Sequence, residues 1–140
     1  MSRYWMKLQT LKKGDFYIDC AYHPCLVTVC SGDTLEGVSL IDGSSPRSCS
    51  ISHCGPERIT MKNALKKREN WEIFQEEMHQ LGIKYYEKRP ELKKEYSAYL
   101  KGHKKENLRN KKQPISVILG AIKKSGMIRC FNSLSKRMKD

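Results

Sequence analysis

Before about residue 60, short β-branched and aromatic runs alternate with turn-forming clusters. The apolar runs are Phe16-Tyr17-Ile18, Leu26-Val27-Thr28-Val29-Cys30 and Val38-Ser39-Leu40-Ile41. Between and after them stand Lys13-Gly14-Asp15, Ser31-Gly32-Asp33, Asp42-Gly43-Ser44-Ser45-Pro46 and Gly55-Pro56, residues that tolerate or impose turn dihedrals. A turn about every ten residues predicts strands near 7–10, 15–21, 25–31, 35–42 and 47–52, packed as a small antiparallel barrel or sandwich. Asp42-Gly43 is the best hairpin turn and would join 35–42 to 47–52.

After Thr60 the period becomes helical. Ala64, Trp71, Phe74, Met78 and Leu81 draw one apolar stripe, which predicts a helix of about twenty residues with Thr60 as N-cap and Gly82 as C-cap. A second helix begins with Pro90 in its first turn and carries Leu92, Tyr96, Tyr99, Leu100 and His103 on one side. Pro114 starts a third, with Ile115, Ile118, Leu119 and Ile122, which breaks at Ser125-Gly126. A last short helix sets Ile128, Phe131, Leu134 and Met138 in register. The expected fold is therefore α+β: a small N-terminal antiparallel β-barrel over 6–60, then a basic helical region of three to four helices over 61–140. A chain of 140 residues can bury one modest core of its own.

The opening Leu11-Lys12-Lys13-Gly14-Asp15-Phe16-Tyr17 and the following His23-Pro24-Cys25-Leu26-Val27-Thr28 resemble the start of small SH3-like barrels. These include translation-associated KOW modules and MazF/PemK-type RNA-cleaving toxins, and the resemblance covers about twenty residues. It implies an SH3-like sheet. The loop at 20–25 holds no arginine, where those toxins carry a catalytic one, so their activity is not implied.

Charge changes the picture most. Residues 1–60 hold six Lys/Arg and six Asp/Glu, whereas residues 61–140 hold 21 and nine, so the whole formal excess of +12 lies in the second part. Such a one-sided field attracts phosphate backbones, and neutralising phosphates releases counterions. The candidate nucleic-acid contacts are Lys84, Lys88, Arg89, Lys93, Lys94, Lys101, Lys104, Lys105, Arg109, Lys111 and Lys112. Tyr85, Tyr86, Tyr96 and Tyr99 are interleaved with these cations, placing rings suited to base stacking or to helix packing beside them. The prevalence of lysine favours backbone attraction over bidentate base reading.

The expected partner is thus nucleic acid, RNA ahead of DNA, within a larger ribonucleoprotein or a defence or regulatory complex. A non-enzymatic adaptor is the alternative, its apolar stripe of Trp71, Phe74 and Met78 packing against a protein partner or a second copy. A further alternative is a MazF/PemK-like endoribonuclease using Arg47, His53 or His23 with Ser52. Catalysis is the less favoured expectation, because no spacing ties these residues together. No run of eighteen apolar residues is present, and the first residues, with Arg3 and then Lys7-Leu8-Gln9, do not read as a signal peptide. The sequence therefore predicts no membrane partner and a cytoplasmic protein.

Five of the six cysteines fall between residues 20 and 54. Cys20 to Cys25 and Cys49 to Cys54 are both C-x4-C, with His23 inside the first and His53 inside the second. Thiolates and imidazoles from two loops of a small domain can hold one structural Zn²⁺. The candidate ligands are Cys20, Cys25, Cys49 and Cys54, with His23 or His53 as alternates. Buried reduced thiols are the competing reading, and disulfides a third.

Overall fold

The computed structural model describes residues 11–138, apart from the side chains of Leu108 and Arg109. Five strands, β1 (Phe16–Ile18), β2 (Pro24–Ser31), β3 (Thr34–Ser39), β4 (Cys49–Ser50) and β5 (Glu57–Ile59), form one curled antiparallel sheet in the order β4-β3-β2-β1-β5. Helices follow as α1 (Ile51–Cys54), α2 (Met61–Glu69), α3 (Trp71–Glu87), α4 (Lys93–Arg109), α5 (Ile115–Lys124) and α6 (Ile128–Arg137), with a 3-10 turn at Pro90–Leu92.

The sheet is buried on both faces, as its alternation shows. Phe16 and Leu26 join a core completed by Ala64 of α2, Ile115, Ile118 and Ile122 of α5, and Leu134 of α6. Tyr17, Cys25 and Val27 point the other way, into a second core with Leu11, Leu35, Cys49 and Ile51. At Gly37 the packing leaves no room for a side chain. A Cβ there would stand 2.5 Å from the Leu26 carbonyl oxygen and 2.6 Å from the Tyr17 hydroxyl, which donates to the Arg47 carbonyl.

The described residues divide into two compact units, residues 11–69 with 112–138, and residues 70–111. This division differs from a boundary at residue 60, because α2, α5 and α6 complete the core of the sheet. Arg68, 6% exposed, fastens the first unit. Its Nη1 donates to the Leu40 carbonyl at 2.7 Å and the Ile41 carbonyl at 3.3 Å, and its Nη2 to the Gln113 carbonyl at 2.7 Å. The Gln113 amide donates to Ile41 in turn, at 2.7 Å. The second unit is a helical hairpin of α3 and α4, closed where Trp71 Nε1 donates to the Asn110 carbonyl at 2.7 Å.

Several expectations are corrected here. The strand at 57–59 was not foreseen, and the one expected at 7–10 lies outside the described residues. The tight hairpin turn is Gly32-Asp33 between β2 and β3, where Gly32 takes φ +58°. Asp42-Gly43 instead turns within a long link to β4, Gly43 donating to the Ser39 carbonyl. Thr60 does cap α2, its hydroxyl accepting from the Asn63 amide at 3.1 Å. The expected helix through Gly82 is two helices that break at Asn70, with Ala64 and Trp71 in different units. Gly82 is no C-cap; it lies inside α3, where an added Cβ would collide with the Tyr99 hydroxyl.

Candidate functional site

Two features carry chemistry: a cluster of thiols on the sheet and a set of cations on the helices.

The β1–β2 turn is built by Asp19. Its Oδ1 accepts from the amides of Ala21 and His23, each at 2.9 Å, and its Oδ2 accepts from Arg47 Nε at 2.7 Å. Cys20 is thereby fixed at the outside of a tight turn, in which Tyr22 takes φ +66°. A second aspartate organises the other arm. Asp33, from the β2–β3 turn, accepts from the Ser52 amide at 2.7 Å and from the Ser50 hydroxyl, and these bonds hold its carboxyl below the usual range. Ser50 also caps α1, and Gly55, left-handed at φ 57°, ends it with Cys54 in the last turn.

The two arms bring the sulfurs of Cys20, Cys49 and Cys54 within 4.8 Å of one another, Cys20 and Cys49 being 3.9 Å apart. Cys49 is buried, while Cys20 and Cys54 are exposed. Burial, with the neighbouring Cys20 thiol, pushes the Cys49 thiol up to about 12. A hydrogen bond from the Cys20 thiol lowers Cys54 and correspondingly raises Cys20. Three soft donors at this spacing can hold a metal ion.

Of the expected ligands, Cys25 is not among them. It sits in the inward register of β2, its thiol turned to the His23 carbonyl at 3.4 Å, and burial beside Asp19 raises it far above the ordinary range. His23 is excluded as well: it is fully buried, with Nδ1 2.7 Å from the Ser39 hydroxyl. His53 stands outside the cluster of donor atoms. It lies in a one-turn helix rather than on a strand, so its side chain diverges from that of Cys54 by the helical twist. Of the residues considered for phosphodiester cleavage, Arg47 bonds to Asp19 and Ser44, and His23 is fully buried.

The cations fall into two sets. In residues 70–111, ten Lys/Arg are interspersed with seven Asp/Glu. Lys84, Lys88, Lys93, Lys94, Lys101, Lys104, Lys105 and Lys111 are exposed there, and Arg89 is half-buried, lying 3.9 Å over the Tyr85 ring. The side chain of Arg109 lies outside the described residues. Tyr86 packs edge-on against Tyr96 and tilted against Tyr99 across the hairpin, so these three rings are engaged in helix packing, whereas Tyr85, edge-on to Tyr86 on the same helix, is exposed.

Residues 112–138 differ in kind: they hold six Lys/Arg and no Asp/Glu. Lys123, Lys124, Arg129, Lys136 and Arg137 are all exposed on α5 and α6 or at their ends. Arg129, Asn132 and Lys136 follow at spacings of three and four, which sets them on one face of α6. Lys112 and Arg137 line a groove of about 510 Å³ with Leu65, Arg68, Glu69, Ile115 and Met138. On α2, Lys62, Lys66 and Lys67 are exposed too. Arg47 pairs with Asp19 at 2.7 Å and Arg58 with Asp15 at 3.6 Å, both on the sheet side of the chain. Apart from Lys112, this carboxylate-free segment was missed when the charge of residues 61–140 was taken as a whole. The signal was the absence of acids rather than the density of lysines.

Among the described residues, no helix is long and apolar enough to cross a membrane. Comparison with protein-family models, with curated proteins and with solved structures finds no match for this chain.

Proposed function

We propose that this chain binds nucleic acid through the phosphate backbone, with the α5–α6 pair as the principal contact and the hairpin lysines as a secondary one. The observation that carries this reading is the run 112–138, which holds six cations without one carboxylate, five of them on two helices packed on the core of the sheet. Phosphates approaching such a surface release counterions and meet no fixed negative charge on its helices. The hairpin offers more cations but disperses them among seven acids, so its field is weaker per unit area. In this reading the curled sheet is an SH3-like scaffold. RNA ranks ahead of DNA on the likeness of its first strands to translation-associated modules, and zinc is the ion taken by the three-cysteine cluster. A cytoplasmic ribonucleoprotein or a defence or regulatory complex is the setting this assigns.

The experiment is equilibrium binding of the purified chain to short single- and double-stranded RNA and DNA across a range of salt. Binding at low salt that weakens steeply as salt rises supports the proposal. Absence of binding at low salt, or indifference to salt, overturns it.

A protein partner is the second reading, favoured by the exposure of Ile73 and Leu81, at 61% and 60%, with Met78 on the same helix. Trp71 does not belong to such a surface, being buried against Phe74 and bonded to Asn110. Light scattering on the purified protein separates a monomer from an assembly.

A further inference from the structure

We infer that Cys20, Cys49 and Cys54 form a three-sulfur zinc clasp that ties the β1–β2 turn to the β4–α1 segment and leaves the fourth coordination position to a solvent molecule. The inference rests on the zinc reading of the cluster and adds its coordination and its mechanical role.

Geometry comes first. Zn–S bonds of about 2.3 Å set tetrahedral sulfurs about 3.8 Å apart. Cys20 and Cys49 already stand at 3.9 Å, and all three sulfurs lie within 4.8 Å, so closure shortens the longest separation by no more than about 1 Å. The two arms are held in advance: Asp19 bonds the amides on either side of Tyr22, and Asp33 grips the start of α1. Little rearrangement entropy opposes binding to arms so fixed.

The number of protein donors follows from the same contacts. Cys25 is turned into the core, and among the described residues no imidazole or carboxylate joins the group. Cys20 and Cys54 are exposed, which leaves solvent access on that side. Binding proceeds as Zn²⁺ plus three thiols giving a tris-thiolate complex and three protons, with water as the remaining ligand.

A clasp at this place has work to do. β4 is two residues long, pairing Ser50 with Thr34 and Cys49 with Leu35, and is flanked by one backbone bond on each side, from Arg47 to the Gly37 carbonyl and from Ile51 to the Asp33 carbonyl. The segment that closes the second core at Cys49 and Ile51 therefore has little ladder of its own. A bond between positions 20 and 49 closes that side of the curled sheet.

The test uses the full chain, purified under reducing conditions and loaded with Zn²⁺ alone. X-ray absorption at the zinc edge is expected to show three sulfurs and one lighter atom. Amide exchange at residues 19–23 and 49–55 is expected to slow at least tenfold on loading. Cys20→Ser and Cys54→Ser, both at exposed positions, should each bind less than one tenth of the zinc held by the natural chain, while Cys130→Ser holds it fully. Failure to take up near-stoichiometric zinc overturns the zinc reading itself. Zinc bound through four sulfurs or through a histidine overturns the coordination inferred here. Zinc held by three sulfurs without slower exchange in the two segments overturns the clasp.

Discussion

Replacing Arg68 by methionine tests whether the cationic helices are fastened to the sheet as described. The guanidinium, 6% exposed, donates to Leu40 and Gln113 at 2.7 Å and to Ile41 at 3.3 Å. Methionine retains most of the apolar stem but offers no donor, leaving these carbonyls without their charged partner. Hydrogen bonds to a charged group contribute about 1.5–3 kcal/mol each, so losing the two short ones removes about 3–6 kcal/mol. Against a usual domain stability of about 5–15 kcal/mol this is a large fraction. Urea unfolding followed by circular dichroism should show a midpoint lowered accordingly, with Arg68→Lys intermediate because an ammonium lacks the planar fork. A loss below about 1 kcal/mol, the range of ordinary surface changes, would refute the role given to Arg68.

Two further outcomes follow from the packing. Gly37→Ala sets a methyl 2.5 Å from the Leu26 carbonyl and 2.6 Å from the Tyr17 hydroxyl, and should cost about 1–3 kcal/mol in the same unfolding assay; an unchanged midpoint contradicts the close approach. In the hairpin, His79 and His103 stack with ring centroids 3.5 Å apart, and burial, then the neighbouring His79, lowers His103. Glu106 and Glu76 act in the opposite sense without reversing it. A histidine lowered in the folded state favours the neutral form, so its contribution is complete above the unfolded value of about 6.5 and is lost as pH falls through the lower folded value. The melting temperature should therefore fall on acidification below about pH 6.5 more in the natural chain than in His103→Gln; equal slopes count against it.

How far the sequence carried depends on the kind of contact. Turn residues and helix starts are local, and Gly32-Asp33, Thr60, Pro90 and Pro114 were readable because each acts on its own neighbours. The break at Asn70 was hidden because Ala64 and Trp71, seven apart, continue one stripe across it, although they belong to different units and only Ala64 joins the core of the sheet. The C-x4-C pairs gave all four cysteines equal standing. What separates them is strand register: Cys25 alternates inward with Val27, whereas Cys20 sits in a turn whose fold depends on the distant Arg47. The run Pro24-Cys25-Leu26-Val27 held that hint, since a thiol inside an apolar run is core material. The contrast between residues 70–111 and 112–138 was countable from the start, but its meaning needed the finding that the second segment belongs to the unit of the sheet.

The most direct test of the central claim is the salt dependence of oligonucleotide binding, measured in parallel on the natural chain and on one with Lys123, Lys124, Arg129 and Lys136 changed to glutamine. Each lost phosphate contact on a single strand should flatten the log–log salt slope by about 0.7, so four contacts flatten it by about 2.8 and weaken binding about 600-fold at 0.1 M salt. The same change at Lys84, Lys88, Lys93 and Lys94 should cost less. A natural chain that binds no oligonucleotide at low salt, or a glutamine variant of α5 and α6 whose slope is unaltered, would contradict the account.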